Sequence, residues 1–109
     1  MNDLTMATTD GLPGFRVTQA LGLVSGLAAH SRTPGGRIDS LMQTLAGGDV
    51  PTLGQLGDAT RLEALERLEA SARELGANAV LAVRFTVTEV GVGAREVLAY
   101  GTAAVVEPA

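Results

Sequence analysis

The chain has 109 residues, a net charge of −4 and no cysteine. A chain of this length usually forms one core, so we expect a single domain over residues 1–109. Nucleic acids and anionic membranes bind clustered Lys and Arg, and this acidic chain has scattered arginines and no lysine, which argues against both as partners. The absence of cysteine excludes disulfides and thiolate chemistry.

The composition predicts a thin core. Hydrophobic residues make up 46% of the chain but aromatic residues only 3%, because alanine and glycine supply much of the apolar count. Apolar burial and ordering entropy nearly cancel in such short chains, so we expect the subunit to associate with copies of itself. The first ten residues, MNDLTMATTD, lack the basic and apolar regions of a secretory signal, and no apolar run is long enough to span a membrane, so the cytoplasm is the expected compartment.

The first predicted element is a long strand over Phe15–Ala29. Alternation places larger residues on one face, namely Phe15, Val17, Leu21, Leu23 and Leu27, and small ones on the other, namely Ala20, Gly22, Val24, Gly26 and Ala28. A face with so few side chains predicts either a helix packed closely within the chain or a tight surface between subunits.

A loop over His30–Arg37 and a short helix over Ile38–Leu45 are predicted next. His30 is the one histidine of a chain without cysteine, whereas a metal centre normally needs three or four ligands of characteristic spacing. We interpret His30 as a solvated loop residue, with a metal ligand as the alternative.

A longer, amphipathic helix is predicted over Asp58–Leu75. Steps of three and four produce an apolar stripe made of Ala59, Leu62, Leu65, Leu68, Ala72 and Leu75. Glutamate and arginine alternate at i,i+4 on the other side, as Glu63 with Arg67 and Glu69 with Arg73. Burial of the four leucines is expected to fix this helix, and Gly76 suits a left-handed position that ends it.

Two further strands follow, over Ala79–Val90 and Glu96–Glu107, and they are expected to form an antiparallel hairpin. Strict alternation would place Ala79, Leu81, Val83, Phe85 and Val87 on one face, and Val80, Ala82, Arg84, Thr86 and Thr88 on the other. The sequence therefore predicts an α+β domain of order β-α-α-β-β, with a three-stranded antiparallel sheet packed against helices.

Several short strings, in order along nearly the whole chain, resemble the YbjQ-like family, which is described as a heavy-metal-binding domain. They are the pair Thr8–Thr9, GLVSG at residues 22–26, Gly47–Gly48, Arg61 with small residues and Leu75 on the long helix, LGANAV at 75–80, and YGTAAV at 100–105. The resemblance implies a dodecin-like subunit that assembles as a ring, a pentamer in family members, and it implies no known reaction. The chain has Leu53 where the family generally has Tyr.

Five residues are candidates for a ligand or interface role: Arg61, Arg84, Tyr100, Thr102 and Asn78. Arg61 is expected to pair with Asp58 one turn earlier or to remain solvated, with an anion or subunit contact as the alternative. A charged Arg84 on a sheet face would cost free energy unless it is paired with an opposite charge or exposed to water. A carboxylate of a neighbouring subunit is a candidate partner. Tyr100 suits a core or interface position, or an anchor for a planar ligand.

No residue pattern predicts catalysis. The chain shows neither a nucleophile beside a base nor two carboxylates in contrasting environments, so we assign no catalytic residue and expect no enzyme. The first hypothesis is a homo-oligomeric binding module whose ligand site lies between subunits or on the ring axis. A metal-ion binding or carrier protein is the alternative, since rotational symmetry multiplies a single acid around an axis. An enzyme acting at a subunit boundary is the third.

Overall fold

The structure, a computed structural model, describes residues 3–31, 53–89 and 94–109. Its elements in chain order are β1 (Thr5–Met6), β2 (Phe15–Ser31), α1 (Leu53–Glu74), β3 (Ala79–Glu89) and β4 (Ala94–Pro108). The predicted short helix over residues 38–45 lies outside the described residues.

The sheet has four strands in the order β1-β3-β4-β2, and α1 packs on one side of it. The predicted hairpin is confirmed, because β3 and β4 pair antiparallel, and β2 pairs antiparallel with β4. The prediction of three strands was wrong: β1 adds a fourth, parallel to β3. A two-residue strand is too short to show alternation, and it is held by backbone contacts that only the folded chain provides.

His30 does not lie in a loop. It belongs to β2, which runs two residues beyond its predicted end, and its backbone pairs with Arg95 of β4. Pairing across the sheet extends the strand through His30, for which the sequence predicts a loop, because β4 begins earlier than predicted and supplies the partner.

The face of β2 that carries mainly alanine and glycine lies against α1. Val24, Gly26 and Ala28 are buried there, and a Cβ built on Gly26 would overlap the Ala64 carbonyl oxygen and the Leu68 nitrogen of the helix. The helix therefore approaches the strand at backbone distance, which is the first of the two interpretations of this face.

This close approach decides which stripe of α1 is buried. The residues against the sheet are Thr60, Ala64, Leu68 and Ala72, spaced four apart. Leu62 and Leu75 are 56% and 50% exposed, so the predicted burial of all four leucines was wrong. Ala64 and Ala72 are small enough to let the helix backbone approach Gly26, whereas Leu68 is the one large side chain of this stripe and is fully buried. The i,i+4 ion pairs are confirmed, with Glu63–Arg67 at 2.7 Å and Glu69–Arg73 at 3.1 Å.

The end of α1 follows the prediction. Gly76 has a φ of 84°, its N–H donates to the Arg73 carbonyl at 3.0 Å, and the Ala77 N–H donates to the Ala72 carbonyl at 3.1 Å. These two bonds form a Schellman motif, in which a left-handed glycine lets the chain reverse and satisfies the last carbonyls of the helix. β3 begins three residues later, at Ala79.

Strict alternation fails in the middle of β3. Ala82 has a φ of 54°, and the register with β4 shifts between Leu81 and Arg84, so this is a β-bulge. Before the bulge Ala79 and Leu81 face away from α1, whereas after it Val83 packs in the core beside the helix. Arg84 is predicted to share the face of Val80. Because of the bulge, it lies on the opposite face instead.

Candidate functional site

We call the side of the sheet that packs on α1 the helix face, and the opposite side the outer face. Register pairs identify the residues of the outer face: Arg84 and Ser25 flank Tyr100, Leu23 and Leu81 flank Thr102, and Leu27 and Thr86 flank Leu98. Leu81 is the one buried residue among these flanking pairs. Residues paired across an antiparallel ladder project to the same side, so these side chains share one surface.

The N-terminal segment covers only one end of the outer face. Leu12 packs there on the buried cluster of Ala79, Leu81, Ala104 and Val106. Beyond this cluster, Leu23 is 77% exposed and Leu27 is 44% exposed. The outer face is therefore a sheet surface that carries large apolar side chains in contact with solvent.

The same N-terminal segment binds the bulge in β3. The N–H of Ala82 donates to the Thr9 carbonyl and that of Val83 to the Ala7 carbonyl, both at 2.9 Å. Opposite the bulge stands Gly101, where a Cβ would lie 2.8 Å from the Leu81 oxygen and from the Val80 side chain. These contacts hold the irregular backbone in place, and the bulge determines the face of the sheet on which Arg84 lies.

Arg84 is exposed at the margin of the outer face, next to the N-terminal segment. Its Nη1 donates to the Thr8 carbonyl at 2.8 Å and to the Val83 carbonyl at 2.9 Å. The predicted carboxylate of a neighbouring subunit is not needed to hold the side chain in place, because two carbonyls of the same chain do so.

Three of the five candidate residues come together. Arg84 is the cross-strand partner of Tyr100, which is half-buried, and Thr102 follows two residues along β4 on the same face and is exposed. Arg61 lies on α1, on the other side of the sheet, and is exposed. It is not part of this group.

Asn78 has a structural position. Its amide nitrogen donates to the Val106 carbonyl at 2.9 Å, and its amide oxygen accepts from the Val106 N–H at 2.8 Å. Both ends of the side chain therefore tie the start of β3 to β4. Sequence reasoning chose Asn78 from a recognisable string, without a signal for this pairing.

The residues described do not contain a metal centre: in ranges 3–31, 53–89 and 94–109, no three His, Asp or Glu side chains stand close enough together to hold an ion. In the same ranges, no helix combines the length and apolar character needed to cross a bilayer.

The fold and this face define a small α+β domain with one described helix on one side of a mixed four-stranded sheet, whose opposite side carries no helix among residues 3–31, 53–89 and 94–109. The chain belongs to the YbjQ-like family, because residues 4–107 match the family described as "Putative heavy-metal-binding". The resemblance seen in the sequence is thereby confirmed.

Individual relatives match nearly the whole length of the chain. A UPF0145 protein of Methanothermobacter thermautotrophicus is 43% identical over 97% of this chain and 93% of its own length. A UPF0145 protein of Streptomyces griseus is 45% identical over 95% of this chain and 86% of its own. A solved structure of a DUF74-family protein of unknown function from Pediococcus pentosaceus has a TM-score of 0.61 at 16% identity, covering 96% of this chain and 98% of that one. That likeness shows the fold, and none of these names specifies a reaction.

Proposed function

We propose that the protein is a cytoplasmic, non-catalytic binding module that works as a homo-oligomer, with its ligand site on the outer face where copies meet. The observation that carries the proposal is the exposure of Leu23 and Leu27, at 77% and 44%, on a sheet face without a covering helix in the described part of the chain. Contiguous exposed apolar surface of this kind marks interaction sites.

The core gives a second reason for self-association. Among the described residues, the only large side chains that are fully buried are Leu68 and Val80, and most of the other core positions are alanine or valine. Full burial of one leucine contributes about 2 kcal/mol, so covering Leu23 and Leu27 would add substantially to the stability of a subunit with so small a core.

The edge of the sheet is a less suitable contact than its face. β2 is an edge strand, and its Leu27 carbonyl accepts from Arg67 Nη1 while its Ser25 carbonyl accepts from the Ser71 hydroxyl at 3.2 Å. The register also shifts near Thr18 and Leu21. Occupied carbonyls and bulges prevent a second chain from continuing the ladder. We therefore assign the second copy to the outer face, and a pentameric ring remains the expected assembly.

Sedimentation and light scattering over a range of concentrations test this proposal. Leu23→Glu should lower the mass of the particle, because it places a charge in the contact. Leu62→Glu, at a residue that is 56% exposed on α1, should leave the mass unchanged. A parent protein that is monomeric at every concentration and unfolds cooperatively would contradict the proposal.

A metal-ion carrier is the second candidate function, and the family description motivates it. Since the described residues of one subunit hold no ligand cluster, ligands from several copies would have to meet around an axis. Calorimetric titration with Zn²⁺ and Mg²⁺ tests this candidate. A binding heat no larger than that of ordinary surface carboxylates would rule out a metal-ion carrier.

A further inference from the structure

Arg84 differs from the other arginines whose partners the structure identifies. Arg16, Arg67, Arg73 and Arg95 each pair with a glutamate, whereas Arg84 uses Nη1 alone, on two backbone carbonyls. Its Nη2 and Nε donors make no bond within the described residues. A positive charge without a carboxylate is a notable feature of a chain whose net charge is −4.

The free donors are also held in a fixed direction. Two carbonyls fix Nη1, and the bulge that directs the side chain is itself bonded to the N-terminal segment at Ala82 and Val83. Ala82 keeps a left-handed φ of 54°, a conformation that costs free energy for a residue with a Cβ. Backbone strain of this kind persists where the surroundings enforce it, and it is concentrated at functional sites.

The neighbours of Arg84 suit an anion. Tyr100 stands directly opposite it, and Thr102 and Ser25 bring further hydroxyl groups to the same face. The planar guanidinium fork matches the two oxygens of a carboxylate or phosphate, and hydroxyl groups donate to the same oxygens.

We infer that Arg84 binds the oxyanion group, carboxylate or phosphate, of a small ligand on the outer face, with Tyr100 and Thr102 beside it. This inference deepens the proposed function and rests on its placing a ligand site on that face. The chemistry shared by the two groups is a pair of oxygens received by Nε and Nη2 of one preorganised arginine.

Nitrogen-15 NMR of the arginine Nε–Hε groups tests the inference directly. The probes are sodium benzoate and inorganic phosphate, each added against sodium chloride of equal ionic strength. The Arg84 Hε signal should move saturably with at least one probe, and the probe that saturates at the lower concentration identifies the oxyanion. Equal, non-saturating shifts of all arginines, or the same shift with chloride, would overturn the inference.

Three variants complete the test. Because the Arg84 variants lack the Arg84 Hε signal, probe binding to all three variants is followed through the backbone amide signals of Tyr100 and Thr102. Arg84→Gln should abolish their saturable shift, whereas Arg95→Gln, which removes another strand arginine, should retain it. Arg84→Lys keeps the charge but loses the fork, so we expect affinity to fall about tenfold, as for one lost charged hydrogen bond of ~1.4 kcal/mol. Parent-like affinity of Arg84→Lys would show that charge alone attracts the anion and would overturn bidentate binding. Circular dichroism verifies that each variant folds.

The failure of this inference can be told apart from failure of the proposed function. If the protein is an oligomer and its Arg84 signal responds to neither probe, only the oxyanion site is contradicted. A monomer whose Arg84 signal still saturates removes the oligomeric module and keeps the oxyanion site.

Discussion

Gly26 of β2 lies directly beneath Ala64 of α1, so closely that a Cβ on the glycine would overlap the Ala64 carbonyl oxygen. The obstructing atoms belong to the helix backbone, and the carbon of Arg67 would also lie within 2.9 Å of the added Cβ. Backbone cannot rotate aside as a flexible side chain can. This contact fixes the distance between the helix and the sheet.

Gly26→Ala should therefore destabilise the protein by at least about 2 kcal/mol, because α1 must move away from β2. Chemical denaturation followed by circular dichroism measures the change. Gly11→Ala is the matched control, since a Cβ at Gly11 meets nothing within 4 Å, and it should change stability little. Equal stability of both variants would show that the helix can shift at low cost.

Leu68→Ala should cost about 2–5 kcal/mol, the range for removing a buried leucine side chain. Leu68 has no exposed surface, whereas Leu62 on the same helix is 56% exposed. Leu62→Ala is expected to cost under about 1 kcal/mol in the subunit. Thermal unfolding of the pair measures the difference, and similar losses in the two variants would mean that Leu62 is covered in solution.

The strained residue of the bulge gives a prediction about side-chain shape. Ala82→Val should lose about 2 kcal/mol of stability, because a β-branched residue is disfavoured at a φ of 54°. Ala82→Gly should stay within about 1 kcal/mol of the parent, since relief of strain offsets the added chain entropy. Ala29→Val, at an exposed position of β2, is the control and should be tolerated. A tolerated Ala82→Val would mean that the bulge relaxes easily.

Asn78→Ala should destabilise the protein by about 1–3 kcal/mol, the usual range when partly buried polar groups lose their partner. The substitution removes both bonds to the Val106 backbone. Asn78→Asp keeps the acceptor for the Val106 N–H but places a carboxylate near the Val106 carbonyl, so it should not restore stability. Denaturant midpoints test this pair, with Gln19→Ala at an exposed strand position as the control. A fully stable Asn78→Asp would show that only the Val106 N–H needs a partner.

The site was predictable only in part. Arg84 and Tyr100 were selected from the sequence, but their meeting was not foreseen, because a strict alternation puts Arg84 on the face of Val80. The alanine at position 82 gives no signal of a bulge, since left-handed backbone is usually announced by glycine or asparagine. The bulge exists because the Thr9 carbonyl accepts from the Ala82 N–H and the Ala7 carbonyl accepts from the Val83 N–H. These contacts join segments that are far apart in the chain.

The sequence alone determined the features that depend on neighbours along the chain. Periodicity located α1, β2, β3 and β4, and Gly76 marked the end of the helix. The tertiary structure decided which faces are buried, because the close approach of α1 at Gly26 favours Ala64 and Ala72 against the sheet and leaves Leu62 and Leu75 exposed. It also decided on which face of the sheet Arg84 lies, since hydrogen bonding to neighbouring segments at the bulge interrupts the residue alternation of β3.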